Sequence, residues 1–306
     1  GAAGGTAGGT AGGTAGGAAG GTAGGAALGT SCTTGSQCAS GLCVDNRCCG
    51  SACSAPCDAC DLAGFEGQCR TVPLGTVPSS ACAGGFACNG AIAGCPSFCT
   101  SDAGCVAARC ASDGVCLPKI ATFKEDFTGG LDASVWMVNH PNATAVNGRF
   151  VVSSIANSDV YATISTRGRY DLTDSEFSIE LVDAGNQSLP TFEAYLAGVC
   201  NNASGFRCLA ILASGGAVVI ELKNGSNYSS LAGSTPIGPW RFFKLREQGG
   251  TTSLLGSVDG GSYTQLLSAS TPFINDFRDV ILFSGAGAYG PESVSSTAVY
   301  DNLDLP

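Results

Sequence analysis

Acid–base, nucleophilic and metal chemistry draw on imidazoles, carboxylates and thiolates, and this chain supplies them unevenly. Its one histidine, His140, sits in Asn139-His140-Pro141-Asn142, a turn-forming context. A Ser-His-Asp relay would rest on that single imidazole, and no G-x-S-x-G elbow accompanies it, so His140 reads as structural or exposed. Glu176 and Glu180, four residues apart, would share one face of a strand, where two carboxylates normally meet solvent. The N-terminal glycines lack the strand, lysine and helix that make a glycine-rich loop bind phosphate. Cysteine is the residue type present in chemical quantity.

Of 18 cysteines, 16 fall between Cys32 and Cys116, in a segment with few large apolar side chains. Too little core is available there to fold the chain otherwise, so the cysteines predict a disulfide scaffold in an oxidising, extracellular compartment. The competing use is zinc, for which Cys57-x-x-Cys60 offers half a site, but no second C-x-x-C pair follows and His140 lies outside the region. Cysteine spacing reveals an internal repeat. Residues 32–48 run C-x5-C-x4-C-x4-C, and residues 99–116 run C-x5-C-x4-C-x5-C. With Cys48-Cys49 and the "CDACDLAGFEGQC" stretch ending at Cys69, residues 31–118 resemble the Cys-rich modules of secreted or lipid-anchored surface proteins of myxobacterial-type bacteria. The resemblance implies location and brings no catalytic residues.

Residues 1–30 repeat Gly-Gly-Thr-Ala or Gly-Gly-Ala-Ala with a period of four. By composition the segment is a flexible tether. Ordering some 26 backbones would cost on the order of 25–50 kcal/mol, which side chains this small cannot offset. If ordered, the repeat would need its backbone groups satisfied by other chains. Gly4, Gly5, Thr6, Gly8, Gly9, Thr10, Gly12 and Gly13 are therefore the candidate assembly residues.

From residue 122 to 306 the texture changes to short alternating segments with turn signals about every ten residues. They include Phe177 to Val182, Phe192 to Val199, Arg207 to Leu212, Val218 to Lys223, Arg241 to Arg246 and Val280 to Ser284. Asn224-Gly225 and Asp259-Gly260 carry hairpin-turn chemistry. Some eleven strands with almost no helical periodicity predict an antiparallel sandwich. Cys200 and Cys208 would fit a bridge across a hairpin. "FKEDFTGGLDASVW" from Phe123, "WRFFKLREQGGTTSLLGSVDGGSYTQL" from Trp240 and the closing "VYDNLDL" resemble the concanavalin A-like jelly roll of laminin-G, lectin and glucanase domains. That resemblance implies paired first and last strands, bringing Asp126 and Asp301 to one edge as candidate ligands of a structural calcium. Glycoside hydrolases of this fold carry Glu-x-Asp-x-x-Glu on one strand, and the nearest string here, Glu180-Leu-Val-Asp183, places its two acids on opposite faces. Sugar binding would call for exposed aromatics on a concave face, whereas aromatics are 8% of the chain and Trp136 and Trp240 are expected in the core.

The chain is thus expected to be mainly β: a Gly-rich repeat segment, disulfide-rich small modules, then an antiparallel β-sandwich of jelly-roll type. With 24 acidic against 14 basic residues and a net charge of −10, it has no footprint for nucleic acid, and no run of 18 apolar residues provides a transmembrane segment. A mature, soluble, secreted product is expected. The leading expectation is a non-enzymatic subunit of a surface filament or matrix, self-associating through its repeat, without cofactor apart from the calcium. The alternative is a surface-tethered carbohydrate-binding or adhesion protein with the repeat as a disordered linker and a glycan as partner.

Overall fold

A computed structural model describes residues 24–201, 206–290 and 292–303. The assembly residues Gly4 to Gly13 lie outside the described residues. The last residues of the repeat do not: Ala26 donates to the Gln37 carbonyl and accepts from Ala39, and a Cβ on Gly25 would stand 2.3 Å from the Cys38 carbonyl carbon. Only glycine permits this approach.

Residues 31–118 build three short hairpins, β1 (Cys43–Val44) with β2 (Arg47–Cys48), β3 (Asp58–Ala59) with β4 (Arg70–Thr71), and β5 (Ala108–Cys110) with β6 (Cys116–Pro118). Eight disulfides hold them. The internal repeat has one connectivity used twice: Cys32–Cys43 with Cys38–Cys48, and Cys99–Cys110 with Cys105–Cys116. In each copy the first cysteine joins the third and the second joins the fourth, around a single 3-10 turn, Gly35–Gln37 or Asp102–Gly104. Cys57 and Cys60 belong to different bridges, Cys57–Cys88 and Cys49–Cys60, so both thiols of the zinc half-site are consumed. The buried side chains of this region are chiefly the cysteines themselves, as in other domains too small to build an apolar core. Bridges of this density are consistent with an oxidising compartment. Among the described residues no helix is long and apolar enough to cross a membrane.

The rest of the chain folds into two seven-stranded antiparallel sheets. One runs in the order β15 (Asn227–Pro236), β14 (Ala217–Asn224), β13 (Arg207–Ser214), β12 (Phe192–Asn201), β19 (Val280–Ala288), β10 (Ala162–Thr166), β7 (Trp136–Val138). The other runs β18 (Thr264–Ser270), β17 (Thr251–Ser257), β16 (Phe242–Gln248), β11 (Ser175–Asp183), β20 (Thr297–Asp301), β9 (Arg149–Ser153), β8 (Ala143–Val146). Alternation sets which side chains meet between the sheets. Leu209, Ile211 and Ala213 of β13, Val218, Ile220 and Leu222 of β14, and Phe243 and Leu245 of β16 all point inward and are buried. Each fully buried Leu, Ile or Phe contributes about 1.5–3 kcal/mol of transfer free energy. Trp136, Phe127, Phe150 and Tyr300 form a row of ring contacts through this core. Trp240 packs on its margin.

The second cysteine module is tied to the sandwich by charge. Lys119 pairs with Asp171 at 2.7 Å, and Arg169 reaches both Asp113 of the module and Asp279 of the sandwich.

Candidate functional site

The outward-facing side chains of the sheet carrying β12 line a cavity of about 620 Å³. The residues follow directly from strand parity. On β12 the inward Phe192, Ala194 and Leu196 alternate with the outward Glu193 and Tyr195. A register shift after Tyr195 then turns Gly198 and Cys200 outward. Glu221 and Lys223 of β14, Ile281 and Phe283 of β19, and Thr163 and Ser165 of β10 face the same way. Phe206, Tyr228 and Tyr289 close the rim, and Tyr161 lies against the sheet.

Glycines let the rings lie down on the sheet. A Cβ at Gly287 would stand 2.6 Å from the Cγ and Cδ1 of Tyr161, and one at Gly198 would stand 2.6 Å from the Phe283 ring. Real Cβ atoms do not come so close, so Tyr161 and Phe283 occupy the space that side chains at 287 and 198 would fill. The ring centroids of Tyr161 and Tyr195 are 5.8 Å apart, and those of Tyr195 and Phe283 5.7 Å. Three aromatic rings thus form a continuous floor.

Two carboxylates stand beside that floor. The Tyr161 hydroxyl donates to Glu193 Oε2 at 2.5 Å and the Tyr195 hydroxyl to Glu221 Oε1 at 2.9 Å. Burial pushes the Glu193 carboxyl above its ordinary range, partly opposed by the Tyr161 hydrogen bond. Burial does the same to Glu221, opposed by the Tyr195 hydrogen bond and the Lys223 charge and reinforced by the charge on Glu193. The same desolvation, with the adjacent carboxylates, holds both tyrosines protonated far above the ordinary phenol range. A raised carboxyl holds its proton more readily and can donate it, and an ionised one accepts hydrogen bonds from hydroxyl groups. The aromatic floor offers apolar faces and the carboxyls offer polar edges, the combination that fits flat, hydroxyl-rich ligands.

The acids singled out in the sequence stand elsewhere. Glu176 and Glu180 project from β11 on the outer face of the opposite sheet. Glu176 is half-exposed between Lys244 and Arg246, at 2.7 and 2.5 Å. Glu180 is buried rather than solvated, because Arg241 pairs with it and the Asn302 amide donates to it. Asp126 accepts from the Thr128 backbone N–H and hydroxyl in a local turn. Asp301 lies 3.4 Å from Arg149 Nε. The terminal segments do meet, through Glu125 and Leu303, but the carboxylate that points inward there is Glu125, which receives the Trp136 indole N–H at 2.9 Å. Among the described residues, the groups of three or more potential metal-ligand side chains are cysteine clusters, one with Asp58, and include neither Asp126 nor Asp301. His140 Nδ1 accepts from the Asn142 backbone within its turn. Cys200 and Cys208 are joined, directly opposite each other on β12 and β13, and line the cavity.

Tyr161, Glu193, Tyr195, Glu221, Lys223 and Phe283 did not stand out in the sequence. One signal was present: in Phe192-Glu193-Ala194-Tyr195, charge and ring share the polar parity of an otherwise apolar strand. Parity alone does not say that these side chains share a cleft with residues two strands away.

No family model matches the sequence, and no curated protein matches it. Solved structures do match, over 59% of this chain in each of the following. LamAcat from Zobellia galactanivorans is 11% identical over 95% of that chain, with a TM-score of 0.45. The laminarinase from Flavobacterium sp. UMI-01 is 11% identical over 98% of that chain, TM-score 0.44. SCLam, a non-specific endo-β-1,3(4)-glucanase from family GH16, is 10% identical over 89% of that chain, TM-score 0.42. Two of the three are named as glucan-acting enzymes, a laminarinase and an endo-β-1,3(4)-glucanase, and the expectation of a non-enzymatic filament subunit is withdrawn.

Proposed function

We propose that the chain is a carbohydrate-active protein that binds a glycan in the cleft on the outer face of the β12 sheet. The observation that carries this reading is the floor of Tyr161, Tyr195 and Phe283 with Glu193 and Glu221 at its edges. Sugar rings present apolar C–H faces to aromatic rings and equatorial hydroxyls to carboxylates, so one surface satisfies both. The test is calorimetric titration of the full chain with a panel of neutral and acidic oligosaccharides. Binding by the native chain that is lost in Tyr195→Ala and Phe283→Ala, with unfolding midpoints retained, supports the reading; no binding anywhere in the panel refutes it.

A second reading, cleavage of the bound glycan, is favoured by the raised pKa of Glu193 and of Glu221. A protonated carboxyl beside a glycosidic oxygen is the general acid that glycoside hydrolysis uses, with a second carboxylate as partner. Release of new reducing ends that is abolished in Glu193→Gln and Glu221→Gln, while the glycan still binds, supports cleavage. Binding without product leaves a lectin-like cleft.

A further inference from the structure

At one end of the cleft the ligand would meet a fixed cation. Lys223 Nζ lies 4.9 Å from the centre of the Phe206 ring and 4.8 Å from that of the Tyr228 ring, held between the two. The registers explain why. Lys223 on β14 is opposite Cys208 on one side and Tyr228 on the other, and Phe206 immediately precedes β13. The Cys200–Cys208 bridge clamps the end of β13 that presents Phe206. Both rings are about half exposed, 50% and 55%, yet they are spent on holding a lysine instead of being buried.

Among the described residues no carboxylate stands within ion-pair distance of Lys223; the charge it acts on is Glu221, two residues along the same strand. Ring faces stabilise an ammonium without occupying its hydrogen-bond donors as an anion would. A lysine normally gives up considerable rotamer freedom when it binds, and here the two rings restrict it beforehand. The chain carries a net charge of −10, so an anionic ligand gains nothing from the overall field and needs a local cation.

We infer that Lys223, bracketed by Phe206 and Tyr228, selects a glycan whose sugar at that end of the cleft carries an anionic substituent. The chemistry shared by the two sources of such a charge, a uronic acid carboxylate and a sulfate ester, is an oxyanion that accepts from the ammonium while its ring rests against the exposed aromatics. This inference rests on the glycan-binding reading above.

The experiment titrates the full chain with matched oligosaccharides: a uronate-bearing one and its carboxyl-reduced neutral form, and a sulfated one and its desulfated form. Charge-assisted hydrogen bonds predict that the anionic member of at least one pair binds about tenfold or more tighter than its neutral counterpart. In Lys223→Met, which keeps the apolar stem, that ratio falls to about one; in Lys223→Arg it is retained. The pair that shows the ratio identifies carboxylate or sulfate as the source. Neutral and anionic members binding equally to the native chain, or a ratio that survives Lys223→Met, overturns the inference while glycan binding stands. Binding of no oligosaccharide at all refutes the underlying reading instead.

Discussion

Replacing Gly287 by alanine tests the aromatic floor at its most constrained point. A Cβ there would be 2.6 Å from Tyr161 Cγ and Cδ1 and 2.7 Å from its Cα. Because that Cα is backbone, rotating the ring away does not relieve all of the overlap. Inserting a methyl group into such a site costs about 1–3 kcal/mol. For a domain of this size each kcal/mol lowers Tm by about 2–4 °C, so the loss should fall at about 2–12 °C. Part of it is offset by the stiffer unfolded chain, about 0.4–1 kcal/mol for Gly→Ala. Gly129 supplies the control, since a Cβ there meets nothing within 4 Å and the backbone is not left-handed. The difference between Gly287→Ala and Gly129→Ala, measured by urea titration with tryptophan fluorescence, isolates the steric cost. Displacing the Tyr161 ring also removes one end of the aromatic floor, and a lost ring contact of about 0.5–1.5 kcal/mol corresponds to a two- to twelvefold weaker glycan affinity. Tyr161→Ala combined with Gly287→Ala should recover part of the stability and none of the affinity. Equal midpoints and equal affinities for the two single variants would refute the claim that Tyr161 is laid against the sheet.

Glu221→Gln should stabilise the protein increasingly with pH. Below about pH 4 the carboxyl is neutral both folded and unfolded. Because burial raises its folded value, the unfolded state ionises first as pH rises, and stability falls until the folded carboxyl also ionises. Glutamine keeps an acceptor for Tyr195 and cannot ionise, so its Tm advantage should be larger at pH 8 than at pH 4; an advantage independent of pH contradicts the burial argument. Mild reduction should divide the chain. Residues 32–116 depend on eight bridges and should become protease-sensitive, whereas the sandwich holds its apolar core and should survive as a fragment beginning near residue 120. Simultaneous digestion of both regions under reductant would show that the sandwich depends on the modules. Within the sandwich, Cys200→Ser with Cys208→Ser closes no loop in the unfolded state and should cost about 2–3 kcal/mol, read by urea titration.

Much of this architecture was legible in residue order. Cysteine spacing marked two copies of one module, but four cysteines allow three connectivities, and the first-to-third, second-to-fourth pattern both copies share is seen only in the fold. Ala217–Asn224 announced itself because apolar and polar residues alternate when only one side is dry, whereas Arg207–Ser214, buried on both faces from Cys208 to Ala213, reads as a short continuous apolar run. The three strands overlooked, Trp136–Val138, Ala143–Val146 and Asn227–Pro236, are all sheet edges. An edge strand buries little, so its side chains need not alternate, and "NYSSLAGSTP" reads as a loop until a neighbour pairs with it.

The site was not legible for a related reason. Alternation identifies the inward face of a strand through its apolar residues but leaves the outward face open to any chemistry. Glu176 and Glu180 shared a strand and drew attention, yet they face away from the cleft. Glu193 and Glu221 lie on strands separated by a third, and only sheet pairing brings them to one surface. The composition and spacing of the chain determined an oxidising compartment, a bridged module used twice and a β-sandwich. Tertiary structure decided which glycines seat the rings, which carboxyls burial makes weak acids and which lysine stands between two rings, because those properties belong to the contacts between strands distant in sequence.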